Sequence, residues 1–424
     1  MNREFELPYG RSIVRAAVPK RNLSFVLETE DVQGAENEAD LILQSLRSPI
    51  EHLPLRESVH KHDHIAVIVT DNTRACPDDR LLPPILAELE AVVPRQNITI
   101  IVALGLHPPL SMGELAALLG EEITREYNVL NHDPAQTVYL GDTSRGTPVE
   151  INSRVVEADF RLSTGFIEPH FFAGFSGGRK SIAPGVFSLR SAYKNHGYKM
   201  IEHRGSRAGV LKGNPIHEDM VEQARMARLD FIVNVLLNKK REITHVVAGD
   251  PVRAHEIGCE TEKKIAGVRV NHKVDIVITT NSGAPLDLDL YQSVKGMDNA
   301  SLIIRDGGII IMASSCSSGV GPAAFRELHT SASSAKQILQ KIRRDEPMGV
   351  QWQNQILARI QLRNDVYLLS DIEDNIVSDM MITPIATVDE GLARAFEVLG
   401  DDAEVAVIPE GPLLIPLLEG QAFG

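Results

Sequence analysis

The chain has 424 residues, too many for one ordinary hydrophobic core, so two domains are expected. A formal net charge of −14 argues against nucleic acid and anionic membrane as partners, since both repel an acidic protein. No apolar run is long enough to span a bilayer, the opening MNREFELPYG lacks a basic-plus-apolar signal pattern, and three scattered cysteines (Cys76, Cys259, Cys316) give neither a disulfide framework nor a CxxC metal site, so a cytoplasmic protein is expected.

The first sixty residues suggest a short β region and then an irregular polar stretch. HIAVIVT at 64–70 has the continuous apolar pattern of a buried strand. It ends in Asp71-Asn72-Thr73-Arg74, and a helix is predicted over 81–93. NITIIVAL at 97–104 is a second strand, ending in Gly105-Leu106-His107. Ser111 with Glu114 three residues on is a capping box for the next helix. Strand, helix, strand in this order predicts a parallel α/β sheet, whose ligands gather at the carboxyl ends of the strands. Residues 159–165 lead the same way into the most unusual stretch of the chain, EPHFFAGFSGGRKSIAPGVFSLRSAYKNH at 168–196.

A helix is predicted over 214–229, strands over 231–237 and 244–248, and a helix over 251–265. VDIVITT at 274–280 starts a fresh α/β run, which places a domain boundary near Gly267. LDLDLYQSVK enters a helix on which Tyr291 and Lys295, four residues apart, share a face. A strand follows at 308–313, then helices at 335–344 and 351–362, the second carrying the only tryptophan, Trp352. A strand at 366–369, a helix capped by Thr387 and Glu390, and a strand at 404–408 complete the pattern. There is no internal repeat and no low-complexity segment. The expected fold is α/β with two α/β domains.

The 168–196 stretch concentrates chemistry. Gly177 and Gly178 permit a tight turn whose N–H groups, with the Ser176 hydroxyl, suit an anion. Lys180 after that turn is a phosphate partner or, with a lowered pKa, a nucleophile. His107, His170 and His196 lie beside Gly or Pro in predicted loops, which suits paired acid/base work plus a metal ligand. Two histidines on opposite faces of one carbon are what a stereochemical inversion needs. Asp71 and Arg74 are either a surface turn or an arginine fork for a carboxylate. Lys295 with Gln292 is either an exposed helix face or a second cationic clamp. HDHI at 62–65 and HEDM at 217–220 look like metal motifs but fit solvated polar runs. There is no G-x-G-x-x-G after a strand and no P-loop, which leaves an ordinary nicotinamide dehydrogenase without its fingerprint.

DNTR at 71–74, LGLHPP at 104–109, EPHFFAGFSGGRKSIAPG with the downstream KNH, and YQSVK at 291–295 together resemble the nickel-dependent lactate racemases and related 2-hydroxyacid racemases and epimerases. The resemblance spans nearly the whole chain. It implies a nickel-pincer nucleotide, a pyridinium-3-thioamide-5-thiocarboxylic acid mononucleotide holding Ni(II), joined covalently to Lys180. It implies His196 as the protein ligand to nickel and His107 and His170 as the acid/base pair. Arg74 and Lys295 would contact the substrate carboxylate, with Gln292, Tyr291 and Trp352 also on the substrate side. Asp71, Ser176, Gly177 and Gly178 would lie against the cofactor. The expected partners are a small 2-hydroxy acid and the cofactor-synthesis proteins. The expected division is 1–266, with 404–424 returning to it, and 267–403, with the active site in the cleft. A sugar-acid epimerase and a non-catalytic nickel- or nucleotide-binding homologue are the alternatives.

Overall fold

The computed structural model describes residues 1–419. The chain forms two compact units. One comprises residues 31–196 and 204–265, and the other residues 1–30, 197–203 and 266 onward.

The first unit is built on a six-stranded sheet. Its strands stand in the order Ile243–Gly249, Phe231–Leu237, Phe160–Phe166, Ile65–Thr70, Ile98–Ala103, Asn128–Asn131. All neighbours are parallel except the first pair. The sequence of strand 65–70, IAVIVT, explains its central place. It is β-branched and apolar with no polar face, as a parallel strand covered on both sides requires. The chain starts on this strand, adds 98–103 and 128–131 on one side, then returns to add 160–166 and 231–237 on the other. The direction therefore reverses between strands 65–70 and 160–166. Crevices for ligands open at the carboxyl ends of strands at such a reversal. The core beneath joins Val67, Val69, Ile100, Val102, Leu162 and Val233 to helix Asp78–Glu90 through Leu82, Ile85 and Leu89.

The second unit has a fully parallel sheet, ordered Thr383–Pro384, Asp365–Leu369, Ile304–Ala313, Val274–Thr280, Val405–Ile408, Leu23–Val26. A hairpin of strands Asn2–Tyr9 and Ser12–Pro19 adds Phe5, Leu7, Ala16 and Val18 to the core formed with Ile276, Ile278, Ile309 and Ile311.

Three features depart from expectation. Residues 1–30 belong to the unit built from the C-terminal half, not to a 1–266 domain. Strand 405–408 does not return to a separate N-terminal domain. It pairs with 274–280 and 23–26 because a four-residue run of fully buried VAVI needs neighbours on both sides, and the N-terminal strand supplies one. The part of the 404–424 segment beyond residue 419 lies outside the described residues. The stretch expected to be irregular holds helix Glu38–Arg47, capped by the Asn37 side chain on the Asp40 N–H. Among the described residues no helix is long and apolar enough to cross a membrane.

Candidate active site

Strand 65–70 delivers Asp71 to the carboxyl edge of the first sheet. Asp71 is 2% exposed. One carboxylate oxygen accepts the Thr73 N–H at 3.2 Å and the Thr73 hydroxyl at 2.6 Å, closing an Asx turn. The other oxygen meets His107 Nδ1 at 2.5 Å. Burial alone would raise the Asp71 pKa. The His107 hydrogen bond, the nearby Arg74 guanidinium and the Thr73 hydroxyl outweigh it and hold the carboxyl below its ordinary value. The carboxylate therefore fixes His107 with its proton on Nδ1 and leaves the Nε2 lone pair outward, on a ring 41% exposed. Arg74 is half-buried and forms no carboxylate ion pair among the described residues.

The adjacent strand 160–166 leads to His170, in a two-residue ladder with Gly174–Phe175. Gly174 has φ +82°, and a Cβ there would lie 2.3 Å from the Val210 carbonyl oxygen, so only glycine fits. His170 is wired the other way. Its Nδ1 accepts the Ala173 N–H at 3.3 Å, which puts the proton of the neutral ring on Nε2. Phe171 and Phe172 pack against the ring at 4.9 and 4.6 Å.

Past the ladder, Gly177 and Gly178 take φ +75° and +54° and open the short helical turn Gly178–Ser181 that carries Lys180. Here the structure gives these residues a different task from the anion nest expected of them. The Gly178 N–H donates to Asn234 Oδ1 at 2.6 Å, and a Cβ on Gly178 would sit 2.6 Å from the His255 ring. The Ser176 hydroxyl accepts the Glu168 N–H at 3.0 Å and donates to the Phe166 carbonyl at 3.0 Å. The Gly178 N–H and the Ser176 hydroxyl are thus engaged within the protein itself. Arg179, 2% exposed, pins the turn from beneath, donating to the Ala173 carbonyl at 2.7 Å and lying 3.0 Å from His255 Nε2, which itself donates to the Ser176 carbonyl at 2.8 Å. Its burial pushes the guanidinium down to about 10.

Lys180 is close enough to His196 for its charge to act on that ring. Burial first, and Lys180 second, lower the His196 pKa to about 3, so the imidazole is neutral at physiological pH. His196 caps helix Leu189–Asn195 and is 6% exposed, with the Phe172 ring at 5.0 Å. The turn bearing His107 is tied to the segment after Lys180 by the Gly105 N–H to the Gly185 carbonyl at 2.8 Å. Asp71, Arg74, His107, His170, Lys180 and His196 thus all belong to one unit. A neutral imidazole donor beside an amine nucleophile is a donor set that suits a group both metal-bearing and covalently tethered.

In the second unit, helix Leu290–Ile303 is capped by Asp289, whose side chain accepts the Gln292 N–H at 2.7 Å. Burial raises the Asp289 pKa, countered by that bond and by the Lys295 charge. Trp352 on helix Gln351–Gln361 donates its indole N–H to the Tyr291 hydroxyl at 3.2 Å. Tyr291, Gln292, Lys295 and Trp352 therefore form one local group. The two motifs set aside as polar runs divide: His64 is exposed and pairs with Asp159, whereas His217 is buried.

Sequence reasoning missed Asp78, Asn234 and His255. Asp78 is fully buried and accepts the hydroxyls of Thr70 at 2.7 Å and Thr164 at 2.5 Å, clamping strands 65–70 and 160–166 together below the Asp71 turn. Burial raises its pKa to about 6. The available signal for Asn234 was a lone amide within the apolar run FIVNVLL, because a buried amide must find partners.

Two family models cover most of the chain: a lactate racemase N-terminal domain over residues 9–209 and a lactate racemase C-terminal domain over residues 270–415. A lactate racemase of Thermoanaerobacterium thermosaccharolyticum is 36% identical over 97% of this chain and 98% of its own length. One from Lactiplantibacillus plantarum is 35% identical over 96% and 98%. The structure of the lactate racemase apoprotein from T. thermosaccharolyticum superposes with a TM-score of 0.92, at 35% identity, over 98% of this chain and all of that one. A Thermotoga maritima protein at 17% identity and TM-score 0.67 shares the fold.

Proposed function

Because the chain belongs to the lactate racemase family and is an isomerase, we propose that it racemises lactate or a closely related small 2-hydroxy acid, using a nickel-pincer nucleotide tethered to Lys180 and ligated by His196. The observation that carries this reading is the opposite wiring of two histidines at one sheet edge. His107 is oriented by Asp71 with an outward lone pair, and His170 presents Nε2–H.

A carbon bearing hydrogen, hydroxyl and carboxylate inverts most readily through the flat 2-keto acid. When bound, the pincer nucleotide supplies a site that accepts and returns the carbon-bound hydrogen. The chain's own residues do the rest. One histidine removes the hydroxyl proton on one face, and the other returns it on the opposite face. In each turnover one histidine starts neutral as the base and the other starts protonated as the acid; the proton transfers exchange their states, and the reverse direction starts from the exchanged pair. The Asp71 carboxylate stabilises the imidazolium that His107 becomes. Arg74, which forms no carboxylate ion pair among the described residues, is assigned to the substrate carboxylate, as is Lys295, because retained contacts at that end leave the carbon free to invert. Gln292, Tyr291 and Trp352 are assigned to the substrate side. The neutral His196 ring fits a nitrogen donor to Ni(II).

The test is direct. Protein matured with the cofactor-synthesis proteins is given pure L- or D-lactate without NAD, then a panel of enantiopure 2-hydroxy acids, and chiral chromatography follows enantiomeric excess. Decay of the excess from both sides is expected. If no acid of the panel is racemised by protein whose Lys180 adduct is confirmed by intact mass, the reading fails.

A further inference from the structure

A cavity of about 240 Å³ lies behind the turn that carries Lys180, between helix Pro215–Met226 and the first turn of helix Arg253–Ala266. Its mouth holds exposed Glu51, Arg225 and Arg253, and buried Arg179 forms part of its wall. The carboxylates there are engaged away from two of the three arginines. Glu51 is taken by Arg253 Nε at 3.3 Å. Asp250 caps the helix, accepting the N–H groups of Val252 and Arg253 at 3.0 and 2.8 Å. Arg253 also pairs with Glu256. That leaves Arg225 and Arg179. Arg225 forms no ion pair among the described residues. Among the described residues Arg179 meets the carbonyls of Ala173 and Gly177 and the His255 ring, and its Nε has no acceptor. A buried guanidinium without a carboxylate is costly, and an anion against it would remove that cost.

We propose that this cavity is a second ligand site, distinct from the catalytic edge, that binds a small oxyanion between Arg179 and Arg225. Its ligand class is a carboxylate or a phosphoryl group, the two anions that an arginine fork holds by paired hydrogen bonds. Occupancy would complete the coordination of the same guanidinium that braces the Lys180 turn, so this site is placed to sense a metabolite and stiffen the turn.

The experiment titrates inorganic phosphate, and separately L-lactate, into the full-length protein by calorimetry. The variants are Arg225→Glu, which reverses the charge at the mouth, and Val221→Trp, which fills the cavity from the helix face and leaves Arg179 in the sequence. Arg74→Ala and Lys180→Ala serve as controls for anion binding at the catalytic edge. One probe is expected to bind in both controls and to bind at least about tenfold more weakly in each cavity variant, as loss of a charged hydrogen bond implies. Binding of phosphate alone identifies a phosphoryl ligand, and binding of lactate alone identifies feedback by a hydroxy acid. Absence of binding by both probes, or binding that either cavity variant leaves unchanged, overturns the proposal.

Discussion

Asp71→Asn is the sharpest perturbation of the acid/base assignment. The amide is isosteric and keeps an oxygen for the Thr73 N–H and hydroxyl. What changes is the second atom, 2.5 Å from His107 Nδ1. An NH₂ group there donates, so Nδ1 must accept, and the ring proton moves to Nε2. His107 then offers substrate a donor in place of a lone pair. Loss of a hydrogen bond to a charged group is worth about 1.5–3 kcal/mol, roughly ten- to a hundredfold in rate. The wrong tautomer adds to this; the corresponding change in a serine-protease triad costs about 10⁴-fold. The expected fall in kcat is therefore about 10²- to 10⁴-fold. Matured wild-type and variant protein are assayed from each lactate enantiomer, with nickel content and intact mass measured on the same samples. Nickel and adduct are expected to be unchanged. Wild-type kcat would refute the tautomer argument, and loss of the adduct with kcat would show that Asp71 serves the cofactor instead.

His170→Ala is expected to abolish most racemisation in both directions, by about 10²- to 10⁴-fold, with the Lys180 adduct intact by mass; activity from one enantiomer at the wild-type rate would contradict a two-histidine inversion. Lys180→Ala is expected to show no mass increment after co-expression with the cofactor-synthesis proteins, and an equal adduct on the variant would move the attachment elsewhere. Arg74→Lys is expected to recover only part of the activity lost in Arg74→Ala, because an ammonium cannot present a planar fork, and full recovery in steady-state assays would make Arg74 structural. Asp78 predicts a pH effect on stability. Its folded pKa, about 6, stands above the ordinary aspartate value of 3.8. Stability from this group is thus fully present below pH 3.8 and is lost as pH rises through 6, by a shift on the order of 3 kcal/mol. Asp78→Asn is expected to flatten that fall in calorimetric scans at pH 4.5 and 7.5, and an unchanged difference between the two pH values would show that Asp78 stays charged throughout.

The strands that position the site were legible because their apolar runs are continuous: IAVIVT and VDIVITT cannot face water on either side. The capping box at Ser111 was equally plain, since both of its hydrogen bonds are local in sequence. Helix 38–47 was not, because its apolar face is carried by few residues among charged ones, with only Ile42 and Leu46 buried. The site residues were found by motif and by their places past strand ends. Their wiring was not, since His107 meets a residue 36 positions away and Gly178 one 56 positions away. The partners of Ser176 and Gly178 were hidden for the same reason: a turn that cradles a ligand and a turn that packs on Asn234 and His255 need the same glycines.

The sheet of the second unit is closed by strands from both ends of the described chain, with Val405 and Val407 paired to Leu23 and Val26. This sets an order of manufacture. Residues 31–265 hold every strand of the first sheet and can finish folding while the rest is still being translated. The hairpin of residues 2–19 leaves the ribosome earlier yet has no core to cover until strands 274–280 and 304–313 follow, and strand 23–26 has no neighbour until 405–408 arrives. At roughly 5–20 residues per second that wait lasts on the order of tens of seconds. Throughout it, Phe5, Leu7 and Val18 stand without their core on a short β-ribbon, so this segment is the one most in need of a chaperone's hold.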